Sequence, residues 1–118
     1  MKVNLAQALA GITEHWRPQV VGALNGQEVK IVKFQGEFIW HQHEHEDELF
    51  YVVRGEFRME FRDRTVELRA GDLLVVPRGT EHRPVADREV EVMLFEPAST
   101  VNTGSAGGDK TVARLDWI

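Results

Sequence analysis

The chain has 118 residues with 14 Lys and Arg against 19 Asp and Glu, a formal charge of −5, and no cysteine. That balance lacks the basic footprint of a nucleic-acid binder, and without cysteine there is neither a disulfide nor a thiolate metal site. A hydrophobic share of 42% is high enough for a real core.

The first element in chain order is a short helix over residues 4–11. Asn4 is placed to cap it, Leu5, Ala8, Leu9 and Ile12 share a face, and Gly11 stands near its end. The helix is broken by Trp16-Arg17-Pro18. Residues 19–24 and 27–34 flank Asn25-Gly26, a strong two-residue hairpin signal. Gly36 is expected to turn the chain into a strand over 37–43. Glu44-His45-Glu46-Asp47 is too charged for a core strand and reads as a loop.

Period-2 alternation follows. Glu48, Phe50 and Val52 share one face, and after Arg54-Gly55 so do Phe57, Met59 and Phe61, with Glu56, Arg58, Glu60 and Arg62 opposite. Val66 and Leu68 continue the pattern beyond the turn at Asp63-Arg64. Residues 73–76 are wholly apolar and read as a buried strand ending at Pro77. His82-Arg83-Pro84-Val85 and a last strong strand over 89–95 complete the set. Short strands with frequent turns and almost no helix point to an all-β sandwich or closed barrel. The stretch 97–109, rich in Gly, Ser, Thr and Asn, is expected to cross the surface. Val112, Leu115, Trp117 and Ile118 are expected to dock the C-terminus.

Four of the five histidines lie at positions 41, 43, 45 and 82. His41 and His43 are two apart on an expected strand, so both leave one face, with Ile39 beside them. Two bare imidazoles among Ile, Phe and Val are costly unless their nitrogens are satisfied, and a divalent cation satisfies them. Glu48 opens the next strand on the Phe50/Val52 face, and His82 arrives after a Pro-Arg-Gly turn. Three imidazoles and one carboxylate suit Mn, Fe, Co, Ni, Cu or Zn and argue against Mg or Ca. A second frame, His43 and His45 with Glu48, also keeps the parity. The first is preferred because His45 lies in the acidic run, which places it at the rim, where it is a candidate proton shuttle. His15, alone beside Trp16, reads as structural, and Trp40, outward by parity, points to a covered outer face.

Gly36-(x4)-His41-x-His43-(x4)-Glu48-(x6)-Gly55 resembles the first signature motif of the cupin superfamily, and Gly71-(x5)-Pro77-x-Gly79-(x2)-His82 the second. The first gap is one residue shorter than the family pattern, and Ala86 stands where that pattern ends in Asn. The resemblance implies a double-stranded β-helix, or jelly-roll, barrel with metal ligands His41, His43, Glu48 and His82. It implies a single cupin domain over 1–118, with motifs at 36–55 and 71–86 and a tail at 97–118. Short chains of this pattern are described as mannose-6-phosphate-isomerase-like (cupin type 2), and such barrels are often homodimers.

Ile39, Phe50, Phe57, Met59, Phe61 and Leu94 are expected to line the pocket beside the metal. Glu48 and His45 are the candidate catalytic groups. The expected function is a metal-dependent enzyme on a small polar molecule, by isomerase or dioxygenase chemistry; the alternative is a non-catalytic small-molecule or sugar-binding module. A phosphosugar isomerase would need Lys or Arg inside the barrel, and parity sends the arginines between 54 and 69 mostly outward. The expected partners are a small-molecule ligand and a second copy of the chain, with neither nucleic acid nor membrane. The N-terminus lacks the apolar core of a signal peptide, so a cytoplasmic location is expected.

Overall fold

A computed structural model describes residues 2–104, 106–112 and 115–117. Helix α1, Leu5–Ala10, starts where Asn4 accepts a hydrogen bond from the amide of Gln7 and ends at Gly11. It is too short to stand alone. Its Leu9, wholly buried with Ile12 against Ile31, supplies the stabilisation, about 2 kcal/mol for one such side chain. The ammonium of Lys33 donates to the carbonyl of Ile12 at 3.0 Å and ties the helix exit to the sheet. No helix among the described residues is long and apolar enough to cross a membrane.

The strands are β1 (Gln19–Leu24), β2 (Gln27–Glu37), β3 (Glu48–Arg54), β4 (Glu56–Phe61), β5 (Thr65–Arg69), β6 (Leu73–Val76), β7 (His82–Pro97) and β8 (Asp116–Trp117). Asn25 and Gly26 both take positive φ, 50° and 80°, and close the β1–β2 hairpin as the dipeptide requires. Strand β7 organises the barrel. It pairs antiparallel with β2 over most of its length, and its other edge pairs first with β4 and then with β3. Strand β5 extends from β4, β6 from β3, and β1 from β2. The inward residues of β2, β3, β4 and β7 form one apolar core that includes Val32, Phe50, Val52, Met59, Val90 and Val92.

The structure departs from the sequence reading at four places. Gly36, at φ 84°, makes a bulge in β2 and does not reverse the chain, so Glu37 still pairs with Val85. Beyond Glu37 the chain stays extended without forming the rest of the expected strand over 37–43; there His41 makes an isolated bridge to His82. Strand β6 is buried on one face only: Val76 and Leu74 meet the core, while Leu73 and Val75 are 61% and 49% exposed, and the strand pairs with β3 alone among the described residues. The segments His82–Val85 and Glu89–Phe95 are one strand, because Pro84 and Ala86 face inward and the pairing with β2 runs past them.

The fourth departure is the crossing after β7, which is not simply a surface path: Thr100 and Thr103 are buried. At the C-terminus β8 pairs parallel with Gln19 and Val20 of β1, yet Trp117 remains 59% exposed. Ile118, expected to dock with it, lies outside the described residues. Trp40 is half-buried under the molecule's own side chains, with the guanidinium of Arg62 3.9 Å from its ring centre and that of Arg83 at 5.1 Å.

Candidate metal centre

One extended segment, carrying His41 and His43, and the first residues of two strands, Glu48 of β3 and His82 of β7, build the site. The backbone of His41 exchanges hydrogen bonds with that of His82, amide to carbonyl at 3.1 and 2.9 Å. The amide of Gly79 donates to the carbonyl of His43 at 2.7 Å, and the amide of Arg78 donates to the Asp47 carboxylate at 2.8 Å. The turn before β7 is thus laced onto the loop before β3. In the extended stretch 41–43 the alternation survives without a ladder: His41 and His43 are buried and Gln42 is half-buried.

His41, His43, Glu48 and His82 are all buried, and one potential ligand atom from each lies within 4.8 Å of the others. Nε2 of His43 and of His82 stand 3.3 and 3.5 Å from Glu48 Oε1. Donor atoms about 2.1 Å from a common ion at right angles would stand about 3 Å apart, so the cluster is close to ligand spacing. Two of the three outer nitrogens are fixed: Nδ1 of His41 faces the carbonyl of Ile39 at 2.9 Å, and Nδ1 of His82 that of Thr80 at 2.8 Å, whereas Nδ1 of His43 is buried without a partner. A carbonyl only accepts, so in His41 and His82 Nδ1 carries the proton and Nε2 keeps its lone pair. Nε2 of His43 and of His82 and Oε1 of Glu48 are buried without a hydrogen-bond partner. Orphaned buried lone pairs converging on one point are what a divalent ion satisfies and what a purely apolar core does not tolerate.

The electrostatics agree. Burial, and then the charge of His82, takes His41 from 6.5 down to about 4, so its imidazole is neutral near pH 7. Burial pushes Glu48 up, but the adjacent imidazoles of His43 and His82, which favour the carboxylate whenever they carry a proton toward it, outweigh burial and hold the carboxyl well below the usual range.

The first-motif glycines, the histidine–glutamate set and the barrel now stand together. Residues 28–96 match the Cupin domain family model, more than half of the chain. The chain is a cupin. A solved cupin-2 domain protein from Shewanella frigidimarina is 39% identical, with a TM-score of 0.79, over 80% of this cupin and 93% of that chain. The Bacillus subtilis protein YdbB is 42% identical over 64 residues, 53% of this cupin and 57% of YdbB. Acireductone dioxygenase of Yarrowia lipolytica is 35% identical over 72 residues, 56% of this cupin and 39% of that enzyme. The cupin thus matches little more than half, or less, of these two curated relatives.

Beside the histidine–glutamate cluster lies a small, partly open cavity of about 30 Å3. His41 and Glu48 form part of its wall, with Trp16, Phe34 and Phe38 on one side and Phe50 and Leu94 on another. Trp16 stacks on Phe34 and Phe38 at 4.5 and 4.8 Å between ring centres. Of the residues expected to line the pocket, Phe50 and Leu94 are in this wall. Phe57, Met59 and Phe61 are core residues away from it, and half-buried Ile39 contributes its carbonyl to His41. His45 is not at the site. Its side chain is 84% exposed beside Glu44, because the acidic loop turns it outward. The buried cluster of potential ligands forms without it.

Two groups the sequence reading passed over stand in the cavity wall: Lys30 and Glu96, each only 2% exposed. Their ammonium and carboxylate are 3.6 Å apart, and Glu28 lies 3.8 Å from the same ammonium. Burial and the neighbouring charge of Glu48 push the Glu96 carboxyl well above its ordinary value, against the pull of Lys30. Parity held the clue, since Lys30 shares a strand face with Val32 and Phe34, and Glu96 shares one with Val92 and Leu94.

Proposed function

We propose that this cupin is a metal-dependent enzyme acting on a small oxygen-bearing molecule held in the cavity beside His41 and Glu48. The observation that carries the reading is the set of buried, unpartnered lone pairs on His43, Glu48 and His82 at the edge of an apolar cavity. His41, His43, Glu48 and His82 would hold one divalent ion, of Mn, Fe, Co, Ni, Cu or Zn type. Such an ion, when bound, supplies Lewis acidity for negative charge developing on a substrate oxygen and access to oxygen chemistry.

The chain's own groups do the rest. The carbonyls of Ile39 and Thr80 fix two imidazoles in the tautomer that presents Nε2. Phe50, Leu94 and the Trp16 stack exclude water and lower the local dielectric, which strengthens each polar contact inside. Dioxygenase-type chemistry is supported by the similarity to acireductone dioxygenase over 72 residues. Isomerase-type chemistry regains ground, because the barrel does contain a cation, Lys30. A phosphate dianion still fits poorly: one lysine flanked by Glu28 and Glu96 cannot balance two charges.

The first test is metal content. Purified protein is expected to carry about one transition-metal ion per chain, and His43→Ala and His82→Ala are expected to lose it. Stoichiometric metal surviving both changes defeats the ligand assignment. Oxygen uptake and turnover across diketones, keto acids, polyphenols and sugars, with Fe, Mn and Ni reconstituted, then address the chemistry. Tight binding without turnover would make the protein a binding module. The reading includes a homodimer formed along β6, whose outer edge is unpaired among the described residues and carries exposed Leu73 and Val75.

A further inference from the structure

Lys30 is the buried charge that the metal reading leaves without a task. It is not a surface lysine folded inward. Residue 30 sits opposite Val20 on one side and Leu94 on the other, in the middle of the β1–β2–β7 ladder, with its side chain on the core face. Burying an ammonium is costly, and ion pairing alone rarely repays the cost better than a packed apolar residue would. Its two carboxylate neighbours, Glu28 at 3.8 Å and Glu96 at 3.6 Å, are at ion-pair distance and beyond good hydrogen-bond length. An ammonium has three N–H donors. Lys30 lines the cavity that His41 and Glu48 line. Cavity wall, buried cation and ligand cluster therefore bound one space, with Phe34, Phe50 and Leu94 as its apolar sides.

We propose that Lys30 is the substrate-anchoring residue of this cavity, and that it selects small monoanionic acids whose carboxylate it binds while their keto or enol oxygens face the histidine–glutamate cluster. The proposal rests on the metal reading above and adds the charge and shape of the substrate. With a divalent ion bound, Lys30 and the carboxylates of Glu28, Glu48 and Glu96 sum to no net charge, so a monoanion adds one uncompensated charge where a phosphate dianion adds two. The apolar walls fit a short planar carbon skeleton better than a polyhydroxylated sugar, whose hydroxyls would lose water without replacement. A 2,4-dioxo acid has the required layout, with a chelating oxygen pair at one end and a carboxylate at the other.

The test uses a matched pair of probes on the metal-loaded full chain: 2,4-dioxopentanoate, and pentane-2,4-dione, in which a methyl replaces the carboxylate. Calorimetric titration of the wild type is expected to show about tenfold or greater preference for the acid, the usual scale for a charge-assisted hydrogen bond. Lys30→Met, close in volume and uncharged, is expected to erase that preference while leaving bound metal and dione affinity unchanged. Lys30→Arg is expected to keep part of it. If Lys30→Met leaves Glu96 too poorly matched to fold, the double variant Lys30→Met/Glu96→Gln removes both charges and carries the same expectation. A wild type without preference for the acid, or a metal-loaded, folded variant lacking Lys30 that keeps the preference, overturns the anchor. A wild type that binds no metal defeats the underlying reading instead, so the two failures are distinct.

Discussion

A proton added to His41 opposes the metal-free fold. The unfolded chain takes up this proton near pH 6.5, whereas burial and His82 keep the folded imidazole neutral until about pH 4. Stability is therefore complete above pH 6.5, declines as pH falls through that window, and levels off below pH 4. The displacement is equivalent to roughly 3 kcal/mol at full extent. Urea unfolding of metal-free protein at stepped pH should show this decline, and His41→Gln should flatten it; an unchanged slope in that variant would assign the effect to another group. Proton competition with a metal at His41 should begin only near pH 4, where the folded imidazole itself titrates, because an imidazole must be neutral to coordinate. Glu48 acts with the opposite charge but in the same direction. Its carboxyl is held below the ordinary range, so its contribution is present above about pH 4.5 and is lost only in stronger acid.

At the scale of elements, the loop carrying His43 is braced from two sides. One brace is the turn at Gly79. The other is the crossing after β7, where Gly104, at φ 56°, lies so close to the carbonyl of Gln42 that an added Cβ would collide with it. Gly108 also has a positive φ, 99°, but a Cβ there would meet nothing within 4 Å. Gly104→Ala should cost at least about 1 kcal/mol more than Gly108→Ala, since both carry conformational strain and only the first adds a backbone clash. Denaturant midpoints measure the difference. Gly104→Ala should also loosen metal retention, because the Gln42–His43 segment must move to admit the methyl. Equal costs at the two glycines would mean that the crossing gives way without disturbing the loop.

The whole molecule raises the question of its exposed edge. Leu73→Lys with Val75→Lys replaces two largely exposed side chains and should leave the fold intact. Light scattering is expected to report a dimer for the wild type and a monomer for the double variant; a dimer that survives the double change places its contact elsewhere, and a monomeric wild type defeats the dimer.

Much of this architecture was legible from the chain. The Asn25-Gly26 hairpin, the alternation from Glu48 through Phe61 and the capping of α1 by Asn4 follow from local chemistry that tertiary packing does not override. So did the four residues of the ligand cluster, because two histidines of one parity are informative even when no ladder forms around them. The remaining features were set by neighbours distant in sequence. Whether β6 is covered depends on strands that pack or fail to pack on it, and four apolar residues in a row carry no record of that. His45 has the same local parity as His41, and only the bridge between His41 and His82 separates them. Lys30 was hidden for another reason: a lysine in a strand is ordinarily an outward residue.

Strand β7 bears on how the protein is made. It is the partner of β2, β3 and β4, yet it begins at residue 82. As a chain emerges from the ribosome, the apolar faces of Val32, Phe50, Val52 and Met59 are all exposed before the strand that gathers them exists. No segment that stops short of β7 can bury them, so nascent chains should be more dependent on chaperones than the small size of the domain suggests. Synthesis stalled before residue 82 should yield aggregating fragments, whereas release after residue 97 should allow the barrel to close in one cooperative step.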